Sequence, residues 1–227
     1  MTNEEHINKI IENTFATLKD VYDHQKEKDN QSTHIPRYSR VIFPKYSNEE
    51  TRLSEQELRF IFVEKFNQYC EANNLEWFYS VETPTEYKYR FSDKGHKIEP
   101  IRDDEKGQSA MVDLAIHAPN FKRIALIEFK ALNPDPDCFS KDFVKLKAEF
   151  HENQNLLTYF VMYIKAYAIN KTNPAYDTLQ SLSNKIHALD ESGKEFKDKN
   201  TKFYCYVLEP KKGQSTRVEN LIENPNM

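Results

Sequence analysis

Apolar residues along this chain change their spacing several times, and each change marks an element. From residue 2 to 28, Ile7, Ile10, Ile11, Phe15, Leu18, Val21 and Tyr22 recur at helical intervals among polar residues, which predicts an amphipathic helix. Its stripe admits two readings: packing on its own domain, or docking a partner subunit or a second copy. Residues 29–36 are polar and read as a linker, and residues 37–43 read as a short edge strand closed by Pro44. The next helix opens at Ser54-Glu55-Gln56-Glu57, a capping-box pattern in which Glu57 reaches back to the Ser54 N-cap. Leu58, Phe62, Phe66 and Tyr69 then line one face as far as Asn73. Residues 77–82 and 86–91 read as a strand pair around Thr83-Pro84-Thr85, and the charged stretch 92–109 as a mobile loop.

Beyond that loop the period becomes that of strands. Residues 111–117 and 124–130 are short, apolar and rich in β-branched side chains, and Ala118-Pro119-Asn120 lies between them, which predicts a β-hairpin. Asn133-Pro134-Asp135-Pro136 ends the second strand. Residues 140–152 resume helical spacing through Phe143, Leu146 and Phe150. Residues 156–167 favour a buried strand, because Tyr, Phe, Val and Ile dominate them. Residues 176–189 read as a helix, residues 203–208 as a last strand, and the tail after Pro210 as loose. The domain plan is therefore 1–36 for the N-terminal helix and linker, 37–210 for the main domain and 211–227 for the tail.

Composition narrows the function classes. The 227 residues suffice for one domain with an extension and a substantial core. Only four glycines are present, and neither a phosphate-loop nor a dinucleotide-binding pattern occurs. The longest apolar run, at residues 159–164, is too short to span a bilayer, and the polar N-terminus has no signal-peptide core. Cys70, Cys138 and Cys205 are far apart, without zinc-type spacing, and read as reduced thiols of a cytoplasmic protein. The net charge of −4 does not favour tight unaided nucleic-acid binding, although local potential decides that matter.

Candidate chemistry centres on the hairpin. A symmetric turn between Asn120 and Phe121 sets Asp113 opposite Glu128, and opposed residues lie roughly 4.5–5.5 Å apart at Cβ. Lys130, two residues beyond Glu128, shares their side. That face also carries Ala115, Ile124 and Leu126, so it is a covered surface, where carboxylates need a partner or a metal. Two like charges facing each other cost stability, and a divalent cation between them removes that cost. With an ammonium alongside, the set suits phosphodiester hydrolysis. Lys130 also fits a plain salt bridge. His117 ends the same strand and reads as a structural histidine, while Tyr87 and Tyr89 read as packing residues. Lys141 and Lys145, one helical turn apart, fit a solvated helix face.

Asp113, fourteen intervening residues, then Glu128-Phe129-Lys130 resembles the PD-(D/E)xK nuclease superfamily, with Val112 in place of the proline. The order of elements over residues 54–208 resembles the same group. The resemblance implies an α/β, restriction-endonuclease-like αβββαβ core with a mixed central sheet, an N-terminal helical extension and an additional C-terminal αβ unit. It further implies Mg²⁺, or Mn²⁺ as a substitute, held by Asp113 and Glu128, with Lys130 acting on the attacking water. Glu57, on the first core helix, would assist at the metal, with Glu55 and Glu64 behind it. Lys141, Lys145 and Gln154 would touch the nucleic-acid backbone. The implied activity is a nuclease acting on DNA, in restriction, repair or anti-phage defence. The alternative is a catalytically silent nuclease-like subunit of a larger assembly, and a third reading is an unrelated α/β binding protein.

Overall fold

The computed structural model describes residues 1–28, 39–91, 98–101, 107–132, 136–165, 201–209 and 217–219. It is an α/β protein whose chain divides into two compact units, Met1–Glu76 and Trp77–Met227. The division falls after the second helix, so that helix belongs to the first unit rather than to the expected 37–210 domain.

In the first unit, α1 (Asn3–Lys28) packs on α2 (Glu55–Asn73). All seven apolar stripe positions of α1 are at most 3% exposed, so the stripe is covered within this chain. The expected edge strand at residues 37–43 does not form among the described residues 39–43. Instead the Gln25 side-chain amide clasps the Phe43 backbone, donating to its carbonyl at 2.7 Å and accepting from its N–H at 2.7 Å. A side chain satisfies the backbone there, so no strand partner is needed. The start of α2 follows the capping pattern: Ser54 N–H and Oγ both donate to Glu57 Oε2, at 3.0 and 2.5 Å. Asn74 closes it in the left-handed region, with φ of 53°.

The second unit is a seven-stranded mixed sheet in the order β2-β1-β3-β4-β5-β6-β7. Its strands are β1 (Phe78–Phe91), β2 (Ile98–Ile101), β3 (Gln108–His117), β4 (Arg123–Ala131), β5 (Leu157–Ile164), β6 (Thr201–Val207) and β7 (Arg217–Glu219), and α3 (Pro136–Glu152) joins β4 to β5. β4, β5 and β6 are parallel, and the other neighbours antiparallel. Strands within a parallel stretch are covered on both faces. Accordingly Ile127, Phe129, Tyr159, Val161 and Tyr163 are fully buried on one face. Leu126, Phe160, Met162, Phe203 and Cys205 pack with Phe143 and Leu146 of α3 on the other.

Three expectations need correction. Thr83-Pro84-Thr85 does not reverse the chain: β1 runs through it as one strand with a register shift between Pro84 and Lys88. The kinked backbone finds its partners elsewhere. Glu86 and Tyr87 N–H groups donate to the Glu149 carboxylate of α3 at 3.0 and 2.8 Å, and Arg123 donates to the Pro84 carbonyl at 2.7 Å. Within the stretch read as a loop, β2 forms and pairs with residues 88–91. The tail contributes β7, which pairs antiparallel with β6. The helix expected at 176–189 lies outside the described residues. Among the described residues no helix is long and apolar enough to cross a membrane.

Candidate active site

The β3–β4 hairpin builds the site, and its turn decides which side chains meet. Phe121 N–H donates to Ala118 O at 2.9 Å, and Phe121 itself is left-handed, with φ of 61°. Next to the turn His117 pairs with Arg123, but one step later Ile116 pairs with Ala125. This bulge shifts the register by one residue. The ladder then runs Ala115↔Leu126 and Leu114↔Ile127, which brings Asp113 opposite Glu128. A one-residue slip exchanges the faces of a strand. Without the bulge Asp113 and Glu128 would point to opposite sides.

Backbone pairing between β3 and β4 stops at Leu114↔Ile127, although both strands continue. Side chains take over in the gap. Asp113 Oδ2 accepts the Phe129 N–H at 2.7 Å, replacing the missing ladder carbonyl. From α3, Lys145 Nζ donates to Met111 O at 2.7 Å and meets Glu128 Oε1 at 2.5 Å and Asp142 Oδ1 at 2.7 Å. Lys130 Nζ lies 2.9 Å from Asp142 Oδ2. Glu128 Oε1 and Asp142 Oδ2 make these contacts as ion pairs. Three carboxylates, Asp113, Glu128 and Asp142, thus share one polar pocket with two ammonium groups.

The pocket is dry. Glu128 is 1% exposed, Asp142 6% and Lys145 8%. Burial pushes the Glu128 carboxyl well above its ordinary value, Asp142 and Asp113 add to the rise, and Lys145 and Lys130 oppose it. Burial alone would lower Lys130, but Asp142, Glu128 and Asp113 hold its ammonium above the usual lysine value. Lys145 behaves alike: burial lowers it, and Glu128 and Asp142 outweigh that effect. The two lysines are therefore firmly charged, which in a low-dielectric site gives them a strong hold on anions.

The other expected residues fall in several places. Lys141 is half-buried and, with Phe91, Ser109, Met111, Asp142 and Lys145, lines a cavity of about 260 Å³ beside the pocket. Lys145 is not on a solvated helix face but inside the ion cluster. Gln154 is exposed in the turn after α3, with about 10 Å of helix between Lys145 and Glu152. Glu57 sits in the first unit, where its carboxylate serves the α2 cap. His117 bridges structural groups, with Nε2 2.8 Å from Ser80 Oγ and Nδ1 3.2 Å from Phe121 O. Tyr89 packs with Ala110 and Ala148 under α3.

Asp142 is the residue that sequence reasoning missed. The signal was present: Asp142, Lys145 and Glu149, at i, i+3 and i+7, form a polar line beside the Phe143–Leu146 apolar stripe. Glu149 anchors that line through Arg123 at 3.1 Å and the two β1 N–H groups.

Among the described residues no three His, Cys, Asp or Glu side chains form a ready-made metal cluster. The donor chemistry nonetheless fits a hard divalent cation, since Asp113, Glu128, Asp142 and the Met111 carbonyl are all oxygen ligands. What stands among them is the Lys145 ammonium. Comparison of the chain with known protein families, curated proteins and solved structures found no match to any of them.

Proposed function

We propose that the chain is a metal-dependent nuclease that hydrolyses phosphodiester bonds, with DNA as its substrate. One observation carries this reading: Asp113, Glu128 and Lys130 converge on one buried pocket between adjacent strands, within electrostatic reach of one another. The chain order α2, β1, β3, β4, α3, β5, with β2 inserted as a hairpin partner of β1, supports a restriction-endonuclease-like αβββαβ arrangement. A bound Mg²⁺, held by Asp113 and Glu128, would supply Lewis-acid polarisation of a phosphate oxygen and a more acidic water. Lys130, fixed by Asp142, places a positive charge where charge develops on the phosphate. Lys141, at the cavity beside the pocket, offers a backbone phosphate contact that positions without reading sequence. A cytoplasmic role in restriction, repair or defence against foreign DNA follows from the resemblance.

A second reading, a catalytically silent nuclease-like subunit, is favoured by the same ion cluster. Its carboxylates already have lysine partners, as a purely structural core would require. Plasmid cleavage separates the two. The purified full-length chain is expected to nick supercoiled DNA with Mg²⁺ or Mn²⁺ and to stop on EDTA addition. Lys130→Ala, removing charge stabilisation at the transition state, should lower the rate about a hundredfold or more. A folded wild-type protein that leaves DNA intact with both metals would end the nuclease reading.

A further inference from the structure

We infer that the Lys145 ammonium sits in the seat of a divalent cation, and that Asp142 and the Met111 carbonyl join Asp113 and Glu128 as that cation's ligands. The inference rests on the metal-binding half of the reading above and not on cleavage.

The geometry is that of an ion held in a cage. Three oxygens from three elements, β3, β4 and α3, surround one nitrogen at 2.5–2.7 Å. A lysine on a solvated helix face has no need of such a shell. The Lys145 ammonium has left water for it, at 8% exposure. The oxygens are also of the kinds that hold small hard cations, two carboxylates and a main-chain carbonyl.

Charge balance argues in the same direction. Formally, Asp113, Glu128 and Asp142 bring three negative charges, and Lys130 offsets one of them. With all three carboxylates ionised, one ammonium leaves the pocket anionic, whereas one divalent cation in the same seat makes it neutral, and the ionised carboxylate is the form that ligates a metal. The lysine therefore acts as a stopgap counter-ion, which keeps the pocket folded when no metal is bound.

Space for the exchange exists. The cavity of about 260 Å³ adjoins Lys145 and already holds Lys141 in its wall. A displaced Lys145 side chain would enter this cavity beside Lys141 and place two ammonium groups there. The exchange thus couples metal entry to the appearance of a second cationic contact for a phosphate chain. Metal and polyanion are expected to bind with positive linkage.

The experiment needs no nucleic acid. Mn²⁺ is titrated into the full-length wild-type protein, into Lys145→Met and into Lys145→Met/Asp142→Asn, followed by calorimetry. An opposite charge beside a carboxylate lowers its proton affinity by roughly one to three powers of ten, and a divalent cation competes for the same oxygens, so Lys145→Met should bind Mn²⁺ about tenfold or more tightly than wild type. Asp142→Asn should reverse that gain. Equal or weaker binding by Lys145→Met overturns the inference, and if that wild type still cuts DNA, the nuclease reading survives its loss. Absence of Mn²⁺ binding by every form overturns both.

Because Lys145→Met takes from the Glu128 carboxylate its direct ammonium partner, the wild type provides a second readout. Acetylation of lysines by a water-soluble reagent, read by peptide mass spectrometry, reports the exposure of each side chain. Added Mg²⁺ should raise the labelling rate of Lys145 about tenfold, in line with its release from the cage. A rate unmoved by saturating Mg²⁺ would mean that the ammonium and the cation do not share a seat.

Discussion

Asp113 carries two duties that a substitution series can separate. Its Oδ2 accepts the Phe129 N–H where the β3–β4 ladder fails, and its charge acts on Glu128 and Lys130. Asp113→Ala abandons both and should cost about 1–3 kcal/mol for the orphaned N–H. Asp113→Asn keeps an acceptor in place and removes the charge. It should retain most of the stability in urea unfolding while losing the heat of Mn²⁺ binding. Equal calorimetric heats from wild type and Asp113→Asn would show that this carboxylate is no ligand. The motif residues Asp113, Glu128 and Lys130 were legible from their alternation in two apolar strands. Asp142 was hidden, because its importance lies in two lysines that reach it from β4 and from its own helix.

At the scale of elements, α3 is held to the sheet by apolar packing and by its polar line. Phe143 stacks on Phe160 with ring centroids 4.7 Å apart, and Phe160 on Phe203 at 5.7 Å. Nearly two turns beyond Phe143, Glu149 accepts the Glu86 and Tyr87 N–H groups and pairs with Arg123. Glu149→Ala leaves a mostly buried guanidinium and two kinked-strand N–H groups without this partner, and should destabilise by about 3–5 kcal/mol. The urea midpoint measures it. A loss below about 1 kcal/mol would show that water replaces the carboxylate at the kink, as at surface pairs. Pro84 illustrates the limit of local reading. Thr83-Pro84-Thr85 has the composition of a turn, yet β1 continues because α3 and Arg123 supply partners for its distorted backbone.

For the whole molecule, the ion cluster ties stability to alkaline pH. Lys130 is raised above 10.5 in the folded protein, through Asp142, Glu128 and Asp113 against the opposing effect of burial. A lysine raised on folding contributes stability that is fully present below its unfolded value and is lost as the pH climbs through the folded one. Wild type should therefore exceed Lys130→Met in urea midpoint at neutral pH, and the gap should narrow above pH 10.5. Tyrosine ionisation affects both proteins alike and cancels in the difference. A gap independent of pH across that range would mean that the acid neighbours do not stabilise the ammonium.

The sequence by itself determined the elements with strong periodicity: α1, the α2 cap, the hairpin strands, the helix after them and the buried β5. It also placed two carboxylates and a lysine within one hairpin, since local spacing suffices for that. Tertiary structure decided what lies around them. The bulge between Arg123 and Ala125, one step beyond the turn, fixes Asp113 and Glu128 on one face, and no periodicity reveals it. Lys145 reads from its neighbours as a solvated residue. Only the packing of α3 across the open end of the β3–β4 ladder draws its ammonium into the oxygen cage, because buried carboxylates must find a cation wherever the fold brings one.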